Sequence, residues 1–161
     1  MVAYVALLRG INVGGKNLIK MPELKACFEV AGFQEVVTYI QNGNVLFRSA
    51  GSGSAALARR IEEMLTSTFG YQASVVLRSR AQMRAVVERA SEGFGADPDA
   101  YRYDVIFLKE PHGEGRLKSV PIRQDVDEVH AGRGCSTSRG SSAGLPRAIS
   151  AKSFPCRSTR A

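Results

Sequence analysis

Apolar and polar residues alternate between two periods along the first eighty positions, and the switching between them predicts the elements. Val2 to Leu8 is a β-branched and aliphatic run, interrupted at Arg9, that leads into the Gly-rich segment Arg9-Gly-Ile-Asn-Val-Gly-Gly-Lys-Asn17; a strand followed by a loop is expected. Leu24, Cys27, Phe28 and Ala31 then fall at helical spacing, with Pro22 in a first turn that tolerates it and Gly32 as a stop signal. Two short β-type runs, Val36 to Gln41 and Val45 to Arg48, flank Asn42-Gly43, a dipeptide suited to a tight hairpin. A second helix is expected with Ser54 as its cap, a stripe of Leu57, Ile61, Met64, Leu65 and Phe69, and Gly70 as its end. Tyr71 to Leu77 completes the series as a strand.

The order β-α-β-β-α-β over residues 1–79 is that of a ferredoxin-like unit in an α+β protein. Residues 80–134 predict a second, incomplete α+β unit. In it, Ser79 and Gln82 form a capping box for a helix carrying Met83, Val86, Val87 and Ala90. Strands over Tyr101 to Leu108 and Val126 to His130, and a short helix over Glu114 to Ser119, follow. From Gly132 the pattern stops, and residues 135–161 are Gly, Ser, Arg and Pro with scattered apolar positions.

Two readings of that tail differ physically. One is a disordered basic extension. The other is a reading-frame error near Gly134, and it follows from the genetic code. If one nucleotide is lost, the first two bases of each codon now read are the last two of the true codon. Threonine then hides Tyr, His, Asn or Asp, and a serine of the TC type hides Phe, Leu, Ile or Val. Rewritten from Cys135 with allowed codons, the tail becomes VLYFSRLVSRASQSHLSKIISLPIYQ, which has a strand followed by a helix-like segment.

The formal charge of +7, from 22 basic and 15 acidic residues, suggests a nucleic-acid binder. Five of the basic residues (Arg139, Arg147, Lys152, Arg157, Arg160) lie after Gly134 with no acidic residue among them. The remainder carries only a small excess, so any such argument rests on a local cluster. Three cysteines (Cys27, Cys135, Cys156) and two histidines (His112, His130) show no ligand spacing; neither a disulfide framework, a metal site nor a cofactor is implied. No apolar run is long enough for a membrane span and no leader is expected, giving a cytoplasmic protein.

Gly10 to Lys16 fits the spacing G-x-x-x-x-G-K of a phosphate-binding loop, but Asn17 offers no hydroxyl for magnesium and Pro22 puts the helix start late. Without that loop, the glycines still supply positive φ in a long turn. The cluster Arg9, Asn12, Gly14, Gly15, Lys16, Asn17 and Lys20 remains, together with Gln41 and Asn44 of the neighbouring hairpin. Its donors suit a phosphate, a carboxylate or a nucleic-acid backbone. An RNA platform would need exposed aromatics, for which Tyr4, Tyr39 and Phe47 are candidates, although core or edge roles are the commoner use. Glu62-Glu63 reads as solvated helix charge, and Asp125, Asp127 and Glu128 as an exposed strand edge that acidic residues protect from pairing.

The words ALLRGINVGGKN (Ala6 to Asn17), MPELK (Met21 to Lys25) and TYIQNGNVLF (Thr38 to Phe47) resemble the bacterial DUF1697 family of unknown function, which usually has Ser where Asn42 stands. The resemblance runs from Val2 to about His130. It implies a soluble α+β protein of two similar subdomains with no established activity. It also implies a further strand, a helix and an Arg-Asn-Trp segment near the C-terminus, whereas this chain has no Trp. The rewritten tail is similar to that strand and helix. Three functional classes follow: a binder of an anionic small molecule or nucleic acid, an enzyme whose site needs the missing C-terminal part, and an assembly module.

Overall fold

Alternation in the first strand, β1 (Val2–Arg9), buries Ala6 and Leu8 on one face and leaves Leu7 and Arg9 on the other. The computed structural model that shows this describes residues 1–40, 43–51, 53–109, 127–132 and 135–141. After a loop come α1 (Met21–Val30), β2 (Gln34–Tyr39), β3 (Asn44–Ser49), α2 (Ser54–Phe69) and β4 (Ser74–Ser79). The strands form an antiparallel sheet in the order β2-β3-β1-β4. This is the ferredoxin-like arrangement, and the protein is α+β.

Both helices cover the same face. Leu24 and Phe28 of α1, and Leu57, Ile61 and Leu65 of α2, share one core with Ala6, Leu8, Val36, Val45, Phe47, Val75 and Leu77. Each large side chain buried there contributes roughly 1.5–3 kcal/mol. Phe47 packs with Phe28 and Phe33 at ring separations of 5.5 and 4.7 Å, and Tyr4 stacks on it at 5.8 Å. The outer face of the sheet carries no helix of this series.

Several boundaries shift from the sequence expectation. Gly53, not Ser54, is the N-cap of α2, and no side chain caps it. Tyr71 packs into the core ahead of β4, which starts at Ser74. The last pair of β2 and β3 is Tyr39 with Asn44, not a pair flanking Asn42-Gly43; Gln41 and Asn42 lie outside the described residues.

The chain divides into two compact units, Met1–Ala85 and Val86–Ala161. The boundary falls within α3 (Arg80–Glu88), which opens with the expected capping box: the Ser79 amide donates to Gln82 Oε1 at 2.8 Å and the Gln82 amide to Ser79 Oγ at 3.2 Å. No residue of α3 is buried: Met83 and Val86 are half-buried and Val87 is exposed. The second unit has a three-stranded sheet in the order β5-β7-β6, from β5 (Tyr101–Phe107), β6 (Asp127–Gly132) and β7 (Cys135–Ser141). Strand β7 is a correction to the sequence pattern, which stops at Gly132. It is the middle strand, paired antiparallel on both sides. The short helix expected over Glu114 to Ser119 lies outside the described residues.

Candidate functional site

The Gly-rich segment is a braced loop anchored at both ends. Ile11 and Ile19 are 1% and 5% exposed and pin it to the core. Between them Asn12 grips the far side with its whole amide: Nδ2 donates to the Ile19 carbonyl at 3.0 Å, and the Ile19 amide donates to Oδ1 at 2.8 Å. Asn17 Nδ2 donates to the Gly10 carbonyl at 2.7 Å, and the Asn12 amide donates to the Asn17 carbonyl at 3.1 Å. Both asparagines have positive φ, a conformation this residue tolerates. Their side chains therefore hold the loop's shape, and are engaged rather than open to a ligand.

At its tip, Val13 to Lys16 forms a tight turn closed by the Lys16 amide donating to the Val13 carbonyl at 3.2 Å. Gly14 and Gly15 take φ of +60° and +74°, the pair a type I′ turn requires. Since α1 begins only at Met21, Lys16 does not stand at a helix N-terminus, and the loop is not the strand-to-helix cradle of a nucleoside triphosphatase.

The hairpin joins the loop. Because β1 and β3 run antiparallel, the end of β1 lies against the start of β3, with Leu7 opposite Asn44. The Leu8 amide donates to the Gly43 carbonyl at 3.0 Å. Gly43, at φ +81°, touches so closely that a Cβ there would stand 2.8 Å from Ile11 Cγ1 and 3.1 Å from Leu8 Cβ. Arg9, the Val13–Lys16 turn and Asn44 thus share one end of the sheet, while Gln41 lies outside the described residues.

The charges divide into paired and open. Lys20 reaches Glu23 at 3.4 Å, Lys25 reaches Glu29 at 3.7 Å, and Arg48 reaches Glu35 at 2.7 Å. Half-buried Arg9 and exposed Lys16 have no ion-pair partner among the described residues. Gly14 and Gly15 at the turn are exposed. Lys20, by its pairing, stands apart from this open pair.

The aromatic candidates separate by strand parity. Tyr4 and Phe47 lie on the helix-covered face, Phe47 at 2% exposure, whereas Tyr39 is on the outer face at 62%. Glu62 is half-buried and accepts the Val75 amide at 2.7 Å, so it caps an edge-strand donor rather than standing as solvated charge. Sequence reasoning also missed the Tyr71 hydroxyl, which is buried with no hydrogen-bond partner among the described residues. Among the described residues no three His, Cys, Asp or Glu side chains group as a metal site, and no helix is long and apolar enough to cross a membrane.

Comparison with known proteins places this geometry. No curated protein matches the chain. Among solved structures it is similar to the conserved bacterial protein SP0830 from Streptococcus pneumoniae, with TM-score 0.76 and 26% identity, over 88% of this chain and 78% of that one. The family model "Protein of unknown function (DUF1697)" matches residues 1–136, which include the braced loop, the hairpin and the whole first sheet. The chain belongs to the DUF1697 family, whose function is unknown.

Proposed function

We propose that the Met1–Ala85 unit binds an anionic group at the end of its first sheet, through Arg9, Lys16 and the exposed Gly14-Gly15 turn. One observation carries this reading: two cations without ion-pair partners among the described residues occur at the same end of the sheet, beside a loop already held rigid. Asn17, next to Lys16, donates to the carbonyl of Gly10, next to Arg9, so one short hydrogen bond joins the backbone segments that carry the two cations. Preorganisation of this kind lowers the ordering cost of binding. Asn12 and Asn17 supply it, and Asn44 flanks the site as a neutral orienting group.

Isothermal titration of the full chain with inorganic phosphate and with pyrophosphate tests the reading. Arg9→Ala and Lys16→Ala are each expected to weaken binding about tenfold or more, the value of one hydrogen bond to a charged group. Because the groups are at least partly exposed, binding falls with added salt. Binding that neither substitution changes would overturn the proposal, as would no binding of either anion.

A further inference from the structure

The outer face of the first sheet is not uniform. Cross-strand register puts Tyr39, Asn44, Leu7 and Val76 in one row across β2, β3, β1 and β4. Exposure rises along it, from 4% at Val76, through half-buried Leu7 and Asn44, to 62% at Tyr39. Arg9 follows Leu7 by two residues on the same face. Strand spacing sets the separation of Tyr39 from Leu7 at roughly 10 Å, and of Leu7 from Arg9 at roughly 7 Å. This corner therefore joins an exposed aromatic ring, a side-chain amide, an aliphatic floor and a guanidinium with no ion-pair partner among the described residues. The acidic side chain of β2, Glu35, is held by Arg48.

We infer that the anion held at Arg9 is the phosphate of a mononucleotide, whose base stacks on Tyr39 and whose edge meets the Asn44 amide; this rests on the anion-binding reading above. A base has a π-face to offer Tyr39 and an edge of donors and acceptors to offer an amide, which carries both. A positive charge with no ion-pair partner among the described residues suits the phosphate. A single nucleotide fits better than a strand, because Tyr39 is the only aromatic residue on this face among the described residues, Tyr4 and Phe47 being turned to the core. Strand-binding sheets instead stack two or three bases.

Titrating the full chain with inorganic phosphate, adenosine, AMP and a short oligoadenylate separates the possibilities. AMP is expected to bind about tenfold or more tightly than phosphate, the gain of one base–aromatic stack. Tyr39→Ala should weaken AMP binding by about 5- to 100-fold and leave phosphate unchanged, with Tyr39→Phe close to the parent. Arg9→Ala should weaken both ligands. Tyr39 is exposed, so neither substitution at it removes core packing. If phosphate binding depends on Arg9 but AMP binds no more tightly, the mononucleotide inference fails and the anion reading stands. If AMP binds through Tyr39 without dependence on Arg9, and phosphate binding is likewise unchanged by Arg9→Ala, the anion reading fails. Oligoadenylate binding far above that of AMP, or self-association abolished by Tyr39→Ala, would also overturn the inference, in favour of a nucleic-acid strand or a second copy.

Discussion

Tyr71 contributes a large apolar ring to the core, but its hydroxyl is buried there with no hydrogen-bond partner among the described residues. A buried donor and acceptor left unsatisfied costs roughly 1–3 kcal/mol. Tyr71→Phe keeps the ring and removes the orphan, so it should raise stability by about 1 kcal/mol. In a unit the size of Met1–Ala85 that corresponds to a Tm increase of about 4–8 °C. A second consequence is pH-dependent. Burial, with a smaller effect from the Cys27 thiol, pushes the Tyr71 pKa up to about 12 from 10.0. The folded state thus holds its proton more tightly than the unfolded state. The stability this represents is fully present below pH 10 and is lost as pH rises through 12, about 2–3 kcal/mol in all. Urea denaturation followed by circular dichroism at pH 8 and across that alkaline range, on parent and variant, isolates the effect, since every other titrating group is common to both. Tyrosinate absorbance follows the ionisation directly in a chain with five Tyr and no Trp. The parent should lose stability to the variant progressively above pH 10. A Tyr71→Phe protein less stable than the parent by 1 kcal/mol or more at pH 8 would refute the reasoning, because the hydroxyl would then have a partner.

Gly43→Ala combines a left-handed backbone with a Cβ driven onto Ile11 and Leu8, and should destabilise by about 2 kcal/mol or more in urea denaturation, with shifts in amide resonances reaching Gly10 to Ile19. Asn12→Ala removes both bonds to Ile19 and should cost about 1–3 kcal/mol and raise amide hydrogen exchange across the loop; retained protection there would mean that Ile11 and Ile19 alone hold it. Sequencing the gene through the codons of Arg133 and Gly134 is expected to reveal a missing nucleotide, and an uninterrupted frame would dispose of that expectation.

Much of the first unit was legible because its signals are local and agree with one another. Leu24 and Phe28, or Leu57, Ile61 and Leu65, reach the core at the positions helical spacing assigns them. What sequence did not show was which face of a strand each aromatic takes relative to the helices, since parity fixes two faces but not which is covered. Hence Tyr4 and Phe47 fall in the core while Tyr39 stands outside it. The adjacency of the Gly-rich loop and the hairpin was likewise hidden, because it is set by the antiparallel pairing of β1 with β3 and not by distance along the chain. The cluster of Arg9 to Lys20 was visible as composition. The division of labour within it was not: Asn12 and Asn17 face their own backbone, a choice made by loop closure, and only Arg9 and Lys16 remain open.

The tail tests the same logic from the other side. A middle strand is where β-branched and aromatic residues matter most, since both neighbours and both faces act on it. Yet β7, paired with β5 and β6, reads Cys-Ser-Thr-Ser-Arg-Gly-Ser. Local preference and position disagree there, in contrast to every strand of the first sheet, and such conflict is a mark against a sequence selected for its fold. The family match also stops at residue 136, two residues into the segment where the rewritten frame begins Val-Leu-Tyr-Phe. The missing nucleotide that sequencing is to look for would account for both observations and for five of the basic residues behind the net charge of +7. On that account bulk charge carries no functional meaning. The case for an anionic ligand then depends on Arg9 and Lys16, which lie well inside the matched region.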